Sequence, residues 1–134
     1  MYENPWLYKG EPLLEIPKGI FGFVYLITCL SSGKLYIGRK YSKTLRKPKD
    51  GGRRKSSESD WRAYYSSNEW IKEQIKSGRA RNTFKREILH LCETQGKTNY
   101  FEVKEQFSRG VLENDNYLND NINGKWYKKN VIKY

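Results

Sequence analysis

Apolar and aromatic side chains are concentrated in three short segments of this chain that predict β-strands. Residues 20–30 are rich in aromatic and β-branched types, which favour a pleated, half-buried backbone. Residues 35–39 continue after a turn that contains Gly33, and residues 84–92 form the third segment. Three strands are therefore expected, and the first two are joined as a hairpin.

Two capping patterns predict helices in the remaining sequence. Ser66 precedes Glu69 by three residues, which predicts a helix that ends at Gly78, and Asn99 precedes Glu102 in the same way. The apolar spacing predicts inner faces made of Trp70, Ile71, Gln74 and Ile75 in the first helix and of Tyr100, Val103, Phe107 and Val111 in the second. The predicted order of strand, strand, helix, strand and helix indicates an α+β fold.

The predicted hairpin constrains two of its tyrosines, Tyr25 and Tyr36. Side chains alternate between the two faces of a sheet, so both tyrosines share a face only if the loop has an even number of residues. A two-residue loop at Ser31 and Ser32, or a four-residue loop over residues 29–32, satisfies this condition. A three-residue loop would place the tyrosines on opposite faces.

Length and composition indicate one domain. The chain has 134 residues, of which 37% are hydrophobic, and no apolar run approaches the ~18 residues of a membrane span. The first residues lack the charged start and apolar run of a signal peptide, so we expect a cytoplasmic protein. Cys29 and Cys92 both lie in strand-like segments, which favours buried free thiols over a disulfide.

The chain divides into an arm, a domain and a tail. Residues 1–19 hold several prolines and glycines near apolar anchors such as Trp6, and predict an extended arm packed on the domain. The domain spans residues 20–123, and residues 124–134 form the tail. Within the domain, residues 39–60 predict a basic, mobile insertion, because Pro48, Gly51 and Gly52 oppose a long helix there.

Positive charge is concentrated in this insertion. The formal net charge is +11, and residues 39–55 hold nine basic residues and one acid, which is +8 in 17 residues. Concentrated positive charge suits a polyanion such as nucleic acid. The alternative is a solvated basic loop without a specific partner. The basic residues expected to contact DNA are Lys40, Arg46, Lys47, Arg53, Arg54 and Lys55.

The segment from Gly22 to Gly38, with Phe23-Val24-Tyr25 and Tyr36-Ile37-Gly38, resembles the signature hairpin of GIY-YIG nucleases. The resemblance covers about residues 20–123. It implies a small three-stranded antiparallel sheet flanked by helices, and hydrolysis of DNA with one divalent cation, Mg²⁺ or Mn²⁺. The chain is most similar to small phage-encoded, homing-type members, so the expected location is the host cell cytoplasm.

The resemblance also implies the roles of individual residues. Tyr25 corresponds to the tyrosine proposed to position or deprotonate water, and Tyr36 to the tyrosine that faces the phosphate. Dense cationic charge nearby would favour the phenolate form of such a tyrosine. Glu102 is the expected metal ligand, with Glu105 as its rival. Asn119 fits a Tyr-x-Asn pattern, and its rivals are Asn114, Asn116, Asn121 and Asn123.

The catalytic arginine is harder to place. In many relatives it lies on a helix eight residues after the glycine of Tyr-Ile-Gly, which is Arg46 here, but the following proline and glycines oppose that helix. We therefore expect Arg39 to contact phosphate, and Arg62 rather than Arg46 to stabilise the transition state. A binding module that has lost catalysis, and a small basic structural protein associated with RNA, are the alternatives to an endonuclease.

We expect DNA binding to weaken steeply with salt. If the basic segment neutralises ~6 phosphates, the slope of log K against log salt should be about −5. Fluorescence anisotropy of a labelled duplex measures this slope, and replacing Lys47, Arg53 and Arg54 with serine should reduce its magnitude by about 3, since each phosphate contact contributes about 1. The same replacement at Lys72, in the first predicted helix, is the control. A slope that all variants share would indicate a solvated loop.

Overall fold

The computed structural model describes residues 2–46, 55–78 and 83–132. The strands are β1 Leu7–Tyr8, β2 Glu11–Pro12, β3 Gly22–Cys29, β4 Leu35–Tyr41, β5 Lys43–Arg46, β6 Lys55–Glu58, β7 Phe84–Cys92, β8 Asn121–Ile122 and β9 Trp126–Tyr127. The helices are α1 Glu69–Lys76, α2 Gln95–Ser108 and α3 Lys128–Ile132, with a 3₁₀ turn at Trp61–Ala63. None of the helices in these ranges is long and apolar enough to span a membrane.

The main sheet has five strands in the order β2-β1-β7-β3-β4. The three predicted strands, β7, β3 and β4, form its antiparallel part, and the α+β class is confirmed. The prediction of a three-stranded antiparallel sheet is wrong, because the N-terminal arm adds two strands. Leu7 and Tyr8 pair in parallel with Glu87 and Ile88 of β7, which makes the sheet mixed. The arm thereby covers an edge of β7 that would otherwise expose unpaired backbone groups.

Each face of the sheet buries its own core. On one face, Trp6 of the arm and Trp61 of the 3₁₀ turn pack on Phe23 and Tyr25 of β3. On the other face, Val24 and Ile37 lie in a cluster with residues of the chain after α2, at Val111, Leu112, Tyr117 and Ile122. Cys29 and Cys92 are buried free thiols, as predicted. Trp6 and Trp61 are both 0% exposed, so Trp6 anchors the arm in the core.

Arg86 of β7 joins the segments on the first face. Its side chain is 1% exposed. Its guanidinium donates to backbone carbonyls of the arm, at Glu3 and Asn4, and to those of the 3₁₀ segment, at Arg62 and Tyr64. It also lies between the rings of Trp6 and Tyr65, at 4.8 and 4.2 Å from their centroids. One side chain therefore fixes two irregular segments against the sheet.

Both helix starts differ from the predictions. Helix α1 is capped by Asn68, whose Oδ1 accepts from the Ile71 N–H at 3.0 Å, and Ser66 instead accepts from the Asn68 N–H. Helix α2 is capped by Thr94, which accepts from the Lys97 N–H at 3.0 Å, five residues before the predicted cap at Asn99.

The predicted inner face of α2 is confirmed in part, since Val103 packs against the core and Val111 is buried in it. Tyr100 and Phe107 are 63% and 50% exposed, whereas Thr98 and Gln106 are buried. Gly22 of β3 makes this possible, because a Cβ there would lie 3.0 Å from the Thr98 Oγ1. The polar side of α2 therefore faces the sheet, and Glu102 lies on that side between Thr98 and Gln106.

The described ends of the insertion form a hairpin and are not irregular. Strands β5 and β6 pair from Lys43 with Glu58 to Arg46 with Lys55. The base is closed by two serines, since the Ser59 N–H donates to the Ser42 carbonyl at 2.9 Å and the Ser59 hydroxyl to the Tyr41 carbonyl at 2.8 Å. Lys47, Arg53 and Arg54 lie outside the described residues.

Replacing Arg86 with methionine should destabilise the fold by at least about 3 kcal/mol, because it removes the donors from several buried carbonyls at once. Lys85→Met, at the exposed neighbouring position of β7, is the matched control and should change the free energy of unfolding by less than about 0.5 kcal/mol. Urea unfolding followed by tryptophan fluorescence measures both. Equal stabilities of the two variants would contradict the role assigned to Arg86.

Candidate active site

The β3–β4 hairpin places the two tyrosines side by side. Tyr25 pairs with Gly38, and Ile27 pairs with Tyr36, so Tyr25 and Tyr36 point to the same face. Their ring centroids lie 6.3 Å apart. The loop comprises residues 30–33, closed by the Cys29 N–H donating to the Lys34 carbonyl at 2.8 Å. The predicted even loop is confirmed. The strand register is the one expected for the two-residue loop at Ser31 and Ser32, although the loop itself has four residues.

Gly38 is required by the close approach of Tyr25. A Cβ at Gly38 would lie 2.6 Å from the Tyr25 Cζ and still closer to its hydroxyl oxygen, with the Tyr36 Cε2 at 3.0 Å. The space of the missing side chain is thus filled by the Tyr25 phenol. The glycine of the motif allows one tyrosine to lie across the neighbouring strand.

Burial keeps both phenols protonated. Tyr25 is 0% exposed, and this burial raises its pKa well above the ordinary value, with Tyr64, Tyr36 and Glu102 acting in the same direction. Burial also raises the pKa of Tyr36, although the Ser67 hydroxyl 3.4 Å from its oxygen opposes this. The expectation that cationic charge would favour a phenolate is therefore wrong for Tyr25, because desolvation dominates.

Strand β4 is the last strand of the sheet, and side-chain amides cover part of its outer edge. The Ile37 N–H donates to the Asn119 Oδ1 at 3.1 Å, and the Asn119 Nδ2 donates to the Ile37 carbonyl at 2.8 Å. The Gln106 Nε2 donates to the same carbonyl at 3.2 Å. Asn119 is 3% exposed and binds backbone as a neighbouring strand would. Its rivals Asn114 and Asn121 instead accept hydrogen bonds within local turns.

Arg39 and Glu102 meet beside this edge. The Arg39 Nη1 lies 2.6 Å from the Glu102 Oε1, and the two side chains are 42% and 13% exposed. Burial raises the pKa of the Glu102 carboxyl, and the Arg39 guanidinium opposes that shift. Glu105, the alternative metal ligand, points elsewhere, since it contacts His90 and Arg109 at 2.8 Å each.

A polar cleft follows the outer edge of β4 and includes these groups. One part, of about 530 Å³, is lined by Tyr36, Gly38, Arg39 and Glu102 together with basic residues. An adjoining part, of about 320 Å³, shares Tyr36, Arg39 and Glu102 and extends to Asn119. The structure therefore brings together Tyr36, Arg39, Glu102 and Asn119, with Tyr25 buried beneath Gly38.

Arg62 does not lie in this cleft. Its guanidinium contacts Glu58 at 2.5 Å and stacks on Trp61 at 4.6 Å, and it lines a different pocket. Arg46 lies in β5, not on a helix, and Lys55 lies opposite it in β6. Lys40 borders the cleft, with its Nζ 2.6 Å from Asp60. Of Arg39 and Arg62, Arg39 is the one that the structure places at the cleft.

Two tyrosines near the site were not predicted from the sequence. The ring of Tyr64 meets that of Tyr25 edge to face, with centroids 6.0 Å apart, and Lys40 lies 4.2 Å above its ring. Tyr41 accepts a hydrogen bond from the Arg39 Nε at 3.3 Å. The alternation of side chains along β4 could have indicated Tyr41, which follows Arg39 by two residues. No local pattern indicates Tyr64, because the 3₁₀ turn brings it there.

The cleft residues lie within a segment that matches a known family. Residues 6–131 match the family model described as "Putative endonuclease segE, GIY-YIG domain". No curated protein and no solved structure gives a significant match to the chain. The match covers both tyrosines of the hairpin, Arg39, Glu102 and Asn119.

Gly38→Ala should destabilise the protein by about 2 kcal/mol, because the new methyl group collides with a fully buried ring. The penalty should shrink in a Tyr25→Leu background, which removes the colliding atoms. Gly96→Ala is the control, since nothing lies within 4 Å of a Cβ there and alanine favours helix α2. Urea unfolding of the four variants gives the coupling free energy. An unchanged penalty in the Tyr25→Leu background would contradict the packing argument.

Proposed function

The chain belongs to the GIY-YIG nuclease family of the segE kind, and from this membership we propose that it hydrolyses DNA phosphodiester bonds in the cleft along β4. The observation that best supports the proposal is the convergence of Tyr36, Arg39 and Glu102 on one polar cleft next to basic residues. Hydrolysis needs groups that bind the phosphate, stabilise charge on its oxygens and help the leaving 3′ oxygen.

Arg39 is the proposed phosphate ligand, because its guanidinium is partly exposed at the cleft and offers several donors in one plane. Lys40 and Lys43 line the same part of the cleft and add positive charge. Such charges stabilise the anionic transition state of phosphoryl transfer.

Tyr36 is the proposed catalytic phenol. Its raised pKa means that it donates a hydrogen bond at neutral pH, to a phosphate oxygen or to the leaving oxygen. Tyr25 is a positioning residue in this proposal, since it is fully buried and lies against Tyr36 and Gly38. Asn119 supports both by fixing the backbone of Ile37 between Tyr36 and Gly38.

The donor atoms near Glu102 fit a magnesium or manganese ion. In the described ranges no three His, Cys, Asp or Glu side chains are grouped to hold a metal ion. Glu102 is the carboxylate proposed as the ligand, and Asp120 also lines the adjoining part of the cleft. Mg²⁺ is often bound by one or two carboxylates and several waters. The Gln106 Oε1, one helical turn on, is buried with no hydrogen-bond partner among the described residues. Its orientation is fixed by the Ile37 carbonyl, which accepts from its Nε2.

When bound, such a cation would act as a Lewis acid on the phosphate and lower the pKa of an attacking water. Glu102 would hold it. The remaining groups act on the substrate directly, through Arg39 and the Tyr36 hydroxyl.

Glu102→Gln and Tyr36→Phe should each reduce plasmid nicking by at least about 10²-fold in Mg²⁺ or Mn²⁺ while the proteins still bind DNA. The measurement is conversion of supercoiled plasmid to nicked and linear forms. Glu105→Gln, three residues on in the same helix, is the matched control and should retain activity because that carboxylate pairs with His90 and Arg109. Equal effects at the two glutamates would contradict the metal assignment.

Binding without cutting by the unmodified protein, over several metals and substrates, would favour a catalytically inactive binding module. A homing-type role in a phage is the finer part of the proposal. Mapping cut positions on a random DNA library tests it, since a homing-type enzyme should cut at few sequences and a general nuclease at many.

A further inference from the structure

A chain of hydrogen bonds holds Arg39 against Glu102. The Arg39 Nη1 donates to the Glu102 Oε1 at 2.6 Å, and the Arg39 Nε donates to the Tyr41 hydroxyl at 3.3 Å. The Tyr41 hydroxyl in turn donates to the Asn99 Oδ1 at 2.9 Å. Asn99 and Glu102 are one turn apart on α2, so the helix supports the guanidinium at two points.

Tyr41 is itself fixed in place. Its ring packs on Phe21, with centroids 5.0 Å apart, and the Arg39 guanidinium lies 5.7 Å from the ring centroid. Its hydroxyl proton is directed to Asn99, which leaves the oxygen to accept from Arg39. The orientation of the hydroxyl therefore favours the paired position of Arg39 over other positions.

The paired position of Arg39 conflicts with both proposed ligands of the site. A cation must share or take the Glu102 carboxylate that the guanidinium already binds, and a phosphate must attract a guanidinium that Glu102 already neutralises. Each ligand alone therefore has to open the Arg39–Glu102 pair. When both ligands bind, the free energy that separates Arg39 from Glu102 is required only once.

We propose that Tyr41 and Asn99 are positioning residues that hold Arg39 on Glu102, so that a divalent cation and a DNA phosphate bind cooperatively. The proposal rests on the function proposed above and adds a regulation of the same site. The phosphate draws Arg39 out of the pair and frees Glu102 for the cation, and by linkage each ligand raises the affinity of the other by the same factor. Arg39 is 42% exposed, so it has room to turn toward the cleft.

The first test measures cation binding without DNA. Titration with Mn²⁺, with free Mn²⁺ followed by electron paramagnetic resonance, gives the affinity of each variant. Tyr41→Phe should bind Mn²⁺ about fivefold more tightly than the unmodified protein, because a hydrogen bond to the charged competitor is lost. Arg39→Gln should bind it on the order of tenfold more tightly, and Glu102→Gln should lose the site.

Two further variants test whether the effect comes from the clamp, which is the chain of hydrogen bonds from Asn99 through Tyr41 to Arg39, or from mutation in general. Asn99→Ala removes the other end of the chain of hydrogen bonds and should also raise the Mn²⁺ affinity. Tyr100→Phe removes a hydroxyl from a side chain of α2 that is 63% exposed, and should leave the affinity unchanged. A residue with a merely structural role would lower the cation affinity or leave it unchanged, so an increase is specific to the proposal.

The second test measures coupling. Anisotropy of a labelled DNA duplex gives its affinity in EDTA and in Ca²⁺, with a gel to check that the duplex stays intact. Calcium should strengthen DNA binding of the unmodified protein. The ratio of the DNA affinity in Ca²⁺ to that in EDTA should fall several-fold in Tyr41→Phe and Arg39→Gln, because the Arg39–Glu102 pair is weakened or absent in these variants.

The outcomes distinguish the two proposals. An unchanged or lower Mn²⁺ affinity in both Tyr41→Phe and Asn99→Ala, in proteins with an unaltered melting temperature, overturns the clamp even if plasmid is cut. Higher Mn²⁺ affinity with no cutting of any substrate would retain the clamp and refute the nuclease function.

Discussion

The buried guanidinium of Arg86 is the interaction on which the site most depends. Arg86 donates to backbone carbonyls of the arm and of the 3₁₀ segment. These two segments carry rings that pack on Tyr25. Trp6 lies 5.3 Å from the Tyr25 ring on one side and Tyr64 lies 6.0 Å away on another. A loss of these hydrogen bonds would therefore change the surroundings of the buried tyrosine. The hairpin of Tyr25 and Tyr36 is therefore preorganised only when the arm is folded against the sheet.

The position of β4 as the last strand of the main sheet explains why the site lies where it does. Residues of β4 that point to one face carry the motif tyrosine and glycine, and those that point to the other face carry Arg39 and Tyr41. A cleft along the edge reaches both sets, whereas a pocket on either face would reach one. Helix α2 presents its polar side to this edge, so Glu102 reaches the arginine across a short distance. As a consequence of that arrangement, α2 buries the polar residues Thr98 and Gln106.

The sequence predicted those parts of the fold and site that depend on local patterns. The bounds of β7 follow from a run of apolar and aromatic residues and the even hairpin loop from side-chain alternation, and both agree with the structure. The start of α2 was missed because Gly96, a weak helix former, follows the true cap at Thr94. The two arm strands were missed because a two-residue parallel pairing has no periodic signal. Arg62 precedes Tyr64 by two residues in the chain, yet only the folded turn decides that Tyr64 meets Tyr25 and Arg62 meets Glu58.

The two serines at the base of the basic hairpin have a consequence for the evolution of the protein. Ser42 and Ser59 close the chain on itself directly after β4, and the hydroxyl of Ser42 also donates to the Phe21 carbonyl at 2.9 Å. The two ends of the segment between Ser42 and Ser59 are therefore fixed relative to β4. Insertions, deletions and charge changes between the two serines need not move Arg39 or the tyrosines, because Ser42 and Ser59 themselves make the hydrogen bonds that fix the end of β4. The segment beyond the two serines can therefore change in length and charge over evolution while the cleft along β4 is inherited unchanged.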